Sequence, residues 1–345
     1  MELGDRKKQI LQAVIDDYIL TAEPVGSRAI AEKHSINLSP ATIRNEMADL
    51  EEMGYLEKPH TSAGRIPSEM GYRFYVDSLM RKCRLSIEET DILNNALQLR
   101  VGELDRLIAE VSSIVSRFTD YTVLASAPRA INPVIKSIKL LPLSERSFLL
   151  AAMTSAGGVK NAGIETSESY TDDAVYRFSR ALSDEIVGKS PYDLTDEALA
   201  ALRDAARGCM MLYRPVILHL FDWFERESKR NVYSDGVVNI FNHPEYRDIE
   251  KAKKFIAFIG DRNNVSSIIE DNDGENIKIK IGDENKHEEL KDCSVVISNY
   301  DIGGNMRGSI GVVGPMRMNY SKIISSLDLI TKKLDFLIYG MFFDE

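Results

Sequence analysis

The stretch LSPATIRNEMADLEEMGYLEKPHTSAGRIPS, residues 38–68, gathers side chains with the chemistry to grip a nucleic acid. An Arg fork pairs with two acceptors on guanine and an Asn amide with the edge of adenine, so Arg44 and Asn45 are candidates for reading bases. Thr42 stands beside them, and Ser39 opens the same segment. Beyond Gly54 come Lys58, His60, Thr61, Ser62 and Arg65, cations and hydroxyls of the kind that hold phosphate oxygens or enter a minor groove. No competing chemistry rises above background. The five histidines show neither HExxH nor a His-x3–5-His spacing. The run GGNMRGSIGVVG lacks the GxxxxGK[ST] of a phosphate loop, and no nucleophile elbow occurs. The sequence predicts a protein that is not an enzyme and has no cofactor or metal.

These side chains need a helix and a hairpin to position them. Ser39 fits the N-cap, Pro40 fits N1 where its missing N–H costs nothing, and Leu38 can staple onto Ile43. Gly54 supplies the stop. At about 100° per residue, Ile43, Met47 and Leu50 form a buried side, opposite Ala41, Asn45 and Ala48 flanked by Thr42, Arg44 and Asp49. Small residues there let a helix approach a groove closely. An ordinary solvated helix face has the same composition, so the helix alone leaves both readings open.

The flanking sequence favours the groove. Residues 5–20 place Ile10, Leu11, Val14, Ile15 and Tyr18 on one stripe, and Ser27 can cap a short second helix carrying Ala29, Ile30 and His34. After the third helix, YLEKP and RIPS read as short strands joined by HTSAG. Helix, helix, helix, hairpin is the order of a winged helix. A plain surface loop is the alternative for the hairpin, whose tip would carry His60, Thr61, Ser62 and Arg65 with Lys58 on the stem.

At 345 residues the chain exceeds one ordinary core, so two or three domains are expected. No apolar run approaches the roughly 18 residues of a membrane span, and no signal-peptide core follows the charged start. Cys83, Cys209 and Cys293 lie far apart, which fits a reduced, cytoplasmic setting. The formal net charge is −10, but residues 1–84 hold 12 basic against 13 acidic side chains, leaving 31 against 40 for the remainder. The near-neutral end permits DNA contact while the body carries the acidity.

The segment EPVGSRAIAEKHSINLSPATIRNEMADLEEMGYLEKPHTSAGRIPSEMGYRFYVDSL resembles the N-terminal domain of the HrcA family of heat-inducible bacterial transcription repressors. The resemblance continues through HEELKDCSVVISNY and GSIGVVGPMRMNY, so it covers essentially the whole chain. It implies a homodimeric repressor of chaperone operons that binds double-stranded DNA at an inverted-repeat operator, the CIRCE element. It also implies an α+β multidomain fold: a winged helix, a GAF-like antiparallel sheet domain and a mainly helical inserted dimerisation domain. The chaperonin GroEL is the implied activity partner.

The body can be read against that expectation. VIKSIKLLPL, RSFLLAAMTS and GVKNAGIETS are three strand candidates, and ENIKIKIG, CSVVISNYDI and MRGSIGVVG are three more. Apolar stripes over 103–118 and 323–338 suit helices covering one six-stranded sheet, with a coiled-coil seam as the alternative. The expected domains are 1–85 for the winged helix, 86–171 with 250–345 for the GAF-like part, and 172–249 for the helical insertion. Leu212, Val216, Leu220 and Phe224 recur on one face of that insertion and are the expected dimer interface, a subdomain core being the alternative. Two rival functions stay open: a small-molecule-sensing winged-helix regulator that uses its GAF-like domain, and a winged helix that mediates protein contacts.

Overall fold

The computed structural model describes residues 3–34, 36–60, 64–96, 104–130, 133–155, 159–228, 231–271, 276–302 and 306–343. The chain divides into two compact units, one of Met1–Ala127, Val232–Tyr300 and Ser309–Glu345, the other of Pro128–Asn231 and Asp301–Gly308.

The first unit opens with α1 (Asp5–Thr21), α2 (Ser27–Lys33) and α3 (Pro40–Glu52), then the two-stranded sheet β1 (Leu56–Glu57) and β2 (Ile66–Pro67). Leu56 and Glu57 pair antiparallel with Pro67 and Ile66. Ile10, Leu11, Val14 and Ile15 of α1 are buried, as are Ile30 and the Ile43, Met47, Leu50 face of α3. Ser27 does not cap α2: Gly26 holds the N-cap position, no side-chain cap forms, and Ser27 is buried in the first turn. Val25 is committed to a backbone bridge with Arg65, which fixes the approach to α2 one residue earlier than the capping pattern implied.

α4 (Glu69–Phe74) follows, capped by Ser68, and runs into one π-helical turn over Tyr75–Leu79. The Ser68 hydroxyl also donates to the Gly54 carbonyl at 2.6 Å, tying the exit of the wing to the end of α3. Several bonds join this region to the rest of the unit. Arg73 pairs with Glu284 and donates to the Ile279 carbonyl at 2.8 Å. Glu69 accepts from the Asp283 amide at 3.1 Å, and Arg317 donates to the Ile19 carbonyl at 3.2 Å.

After α5 (Ile87–Ala96) and α6 (Leu104–Thr119) comes β3 (Thr122–Ala130), and the chain returns to this unit through β7 (Val232–Asp235), α10 (Ile249–Gly260), α11 (Arg262–Glu270), β8 (Ile277–Ile281), β9 (Cys293–Asp301), β10 (Met306–Pro315) and α12 (Tyr320–Phe343). Strand order is β7-β3-β10-β9-β8. β9 and β10 are buried along almost their whole length, so both faces of the sheet are covered. Alternating residues Cys293, Val295 and Ile297 pack with Phe255, Phe258, Ile259, Val265 and Ile268 of α10 and α11. The register puts Ser294 on the opposite face, where its hydroxyl meets Tyr320 of α12 at 2.6 Å.

The second unit holds β4 (Ile135–Pro142), β5 (Ser147–Thr154) and β6 (Val159–Glu165), α7 (Asp172–Ile186), α8 (Asp196–Ala205) and α9 (Met210–Ser228). The three strands form their own antiparallel sheet in the order β4-β5-β6. α7 lies along it, with the Ser179 hydroxyl accepting from the Leu140 amide at 2.9 Å and the Ser183 hydroxyl donating to the Ile138 carbonyl at 2.9 Å. Ile138, Leu140, Phe148, Leu150 and Ile164 share one core with Val175, Phe178, Leu182 and the apolar face of α9.

Three expectations are corrected here. The six strand candidates do not form one sheet, because the front three close a separate core with α7–α9. The second unit is therefore 128–231 plus 301–308, beginning well before the expected 172 and closing before the expected 249, with 232–249 returning to the first sheet as β7 and the turns after it. Leu212, Val216, Leu220 and Phe224 are all 0–1 % exposed in the single chain, packed against α7 and the sheet, so they form the subdomain core and cannot line a face between two copies.

Candidate nucleic-acid interface

The interface is organised by how α3 begins. Ser39 is the N-cap, its hydroxyl accepting from the Thr42 amide at 3.1 Å and lying 2.9 Å from the Thr42 hydroxyl, with Pro40 directly behind it. The cap satisfies one of the orphan donors while leaving the positive end of the helix open to solvent. Ala41, Arg44, Asn45 and Ala48 are exposed along the face opposite the core. Among the described residues, neither Arg44 nor Asn45 has a hydrogen-bond or ion-pair partner, so both side chains are available.

The acidic residues of α3 are handled from α1. Lys7 bonds to Glu46 at 2.6 Å and to Asp49 at 2.7 Å, with Arg6 3.5 Å from Glu46. Hydrogen bonds that it donates to Asp49 and Glu46 push the Lys7 ammonium above its usual range. The pairs neutralise two carboxylates on a helix that would otherwise repel phosphate. Sequence reasoning missed Lys7, because partners 39 and 42 residues apart leave no local pattern.

The wing candidates separate. Lys58 and His60 are exposed at the end of β1, while Thr61 and Ser62 lie outside the described residues. Arg65 does not stand at the tip. Its guanidinium pairs with Glu51 at 2.6 Å, its side chain is only 16 % exposed, and its backbone exchanges two 2.9 Å hydrogen bonds with Val25. It braces the wing against the last turn of α3. Gly64 is required beside it, since a Cβ there would sit 2.4 Å from the Val25 carbonyl oxygen. Arg44, Met47, Gly64 and Arg65 line a 190 Å³ cleft with Val25, Gly26 and Ser27. Arg28, exposed and next to Ser27 in the chain, is another cation with no acidic partner among the described residues, one that helix patterning alone did not single out.

Arg81, Lys82 and Arg84 are exposed, and their strand of chain is held to α12 by the Ser321 hydroxyl on the Arg81 carbonyl (2.6 Å) and the Ser325 hydroxyl on the Cys83 carbonyl (2.8 Å). His219 stacks on Trp223, a structural contact. Among the described residues no helix is long and apolar enough to cross a membrane, and no group of three or more His, Cys, Asp or Glu could hold a metal ion.

A capped helix presenting Arg44 and Asn45, two supporting helices and a short wing define a winged-helix DNA-binding protein. Residues 2–76 match the family described as winged helix-turn-helix transcription repressor, HrcA DNA-binding, and residues 105–324 match the HrcA protein C-terminal domain. The heat-inducible transcription repressor HrcA of Acetivibrio thermocellus is 39% identical over 97% of this chain and 96% of its own length. That of Thermoanaerobacter pseudethanolicus is 40% identical over the full length of both. A solved structure titled only as a hypothetical protein superposes with a TM-score of 0.61 at 23% identity, covering 99% of this chain and 100% of the other. The chain belongs to the HrcA family of heat-inducible transcription repressors.

Proposed function

We propose that this repressor acts as a homodimer on an inverted-repeat operator of the CIRCE type, blocking transcription of chaperone operons by occupying their DNA. Each α3 lies in a major groove, with Arg44 and Asn45 on base edges and Thr42 in support. Ser39 with the N-terminus of α3, Lys58, His60, Thr61 and Ser62 hold phosphates. The reading rests on one observation above all: Arg44 and Asn45 are exposed on a firmly capped helix and, among the described residues, bonded to no other side chain. Arg65 serves as a brace.

Doubling follows from charge. A domain with 12 basic and 13 acidic residues neutralises few phosphates, so a single copy binds weakly and two copies on two arms bind well. The sheet covered on both faces supports a GAF-like body. The separate unit centred on 128–231 is the dimerisation domain in this reading, through exposed apolar side chains such as Tyr192 and Leu218 and not through its core. Heat acts on marginal stability, since a shift of about 1–3 kcal/mol changes the competent fraction severalfold or more. GroEL restores that fraction by refolding the repressor when other clients do not occupy it.

The test is a gel shift with palindromic promoter DNA at low ionic strength. Retarded, salt-sensitive complexes containing two chains are expected, and adding purified chaperonin should raise the active fraction. A folded, paired preparation that ignores such DNA overturns the reading, and an unchanged active fraction removes the chaperonin loop from it.

A further inference from the structure

A second site lies in the first unit, where α1, the wing and α4 face the segments around Glu245, Lys251, Asp283, Asp292 and Arg317. The cleft there has a volume of 540 Å³, within the range that accepts a small organic ligand. Five carboxylates line it, Glu57, Glu69, Glu245, Asp283 and Asp292, against two cations, Lys251 and Arg317. Both cations are already taken: Arg317 pairs with Glu245, and Lys251 with Asp292 at 2.7 Å. Glu57 and Glu69 have no ion-pair partner among the described residues, although Lys291, 3.8 Å from Asp283, also attracts Glu69, and the Glu69 carboxylate is held toward Asp283 by that residue's amide. Ile66, Pro67, Met70 and Met316 supply apolar wall between the charges.

The second observation is in the wall itself. Tyr72 is only 2 % exposed, yet among the described residues its buried hydroxyl has no hydrogen-bond partner, and neither does the buried Oε2 of Glu245. Tyr72 and Glu245 both line the cleft, together with Tyr18 and Arg317. Buried polar atoms are nearly always bonded, so two orphaned oxygens on side chains that line one acidic cleft mark a place where donors from a ligand belong.

We infer that this cleft binds a small aliphatic polyamine, an ammonium-bearing chain whose nitrogens donate to Glu245 Oε2, the Tyr72 hydroxyl and the uncompensated carboxylates while its methylenes lie on Met70, Pro67 and Met316. An anion is repelled by the net charge of the lining, and a purely apolar ligand leaves both orphaned oxygens unanswered. The site is independent of the operator reading and is tested without DNA.

Calorimetric titration of the full-length protein with spermidine in about 0.15 M salt, which screens loose surface attraction, is the experiment. Saturable binding of one ligand per chain is expected. Tyr72→Phe keeps the ring and removes an unsatisfied hydroxyl, so it should fold as well as the parent but bind about tenfold more weakly or worse. Glu57→Gln, at an exposed position, should weaken binding severalfold with an unchanged melting temperature. No saturable heat with spermidine overturns the inference. So does binding that Tyr72→Phe and Glu57→Gln leave untouched, which would be diffuse attraction to an acidic protein.

Discussion

Replacing Arg44 or Asn45 with Ala separates recognition from folding, because among the described residues neither side chain makes a hydrogen bond or ion pair. Both are exposed and unpartnered on α3, so truncation should change stability by no more than about 0.5 kcal/mol, and Ala is the better helix former. A base contact is worth about 1–3 kcal/mol. In a symmetric dimer each substitution acts twice, giving about 2–6 kcal/mol, or roughly 30-fold to more than 10⁴-fold in operator affinity. Fluorescence anisotropy with a labelled inverted repeat, run beside a melting curve, reads both quantities. The expected pattern is an unchanged melting temperature, a large loss on the operator, and a small loss on scrambled DNA. If both variants melt normally and bind the operator as the parent does, α3 is not the reading helix.

Lys58→Ala should act differently, lowering affinity for operator and scrambled DNA alike and reducing the slope of log K against log salt by about 2 for a dimer, measured by repeating the titration across salt concentrations. Ser39→Ala removes the cap on the Thr42 amide and should cost about 0.5–2 kcal/mol of stability, seen as a melting temperature lower by several degrees. Gly64→Ala forces a methyl against the Val25 carbonyl and should destabilise by about 1–3 kcal/mol in denaturant titration, with early loss of wing protection in hydrogen exchange. Asp16 supplies a pH test. Burial raises its carboxyl above the usual range, opposed by the Tyr75 hydroxyl donating at 2.8 Å. A folded pKa above the unfolded one means that the stabilising contribution is complete below the unfolded value and is lost as pH rises through the folded value. Asp16→Asn should therefore melt higher than the parent near pH 7, and the gap should close as pH falls toward about 4.

What was legible in the sequence follows from how far apart the cooperating residues are. The cap, the N1 proline and the apolar face of α3 sit within a dozen residues, and the structure puts the helix, its buried side and its exposed side where that pattern places them. The strands β4, β5 and β6 were equally legible as strands, since alternation is local, but sheet membership is not. Nothing in a strand's own residues says which neighbour it pairs with, and β3 and β7, which complete the first sheet, carry too little alternation to stand out. The apolar stripe of α9 shows the same limit from another side: a helix face announces that it must be covered, not by what, and here α7 and the small sheet cover it before a second chain can.

That distinction also sorts the candidate cations. On residue type alone, Arg44 and Arg65 were equivalent, and both line the same cleft. They diverge through a partner outside the motif's logic, because Glu51 lies on the last turn of α3 where the base of the wing returns to it and captures Arg65, while Arg44 is exposed and has no ion-pair partner among the described residues. An arginine already committed to a part-buried ion pair would have to give up that partner to reach phosphate. Removing either half of the brace should loosen the wing first and weaken DNA binding as a consequence, so an Arg65→Ala variant should lose melting temperature along with affinity, whereas Arg44→Ala loses affinity alone.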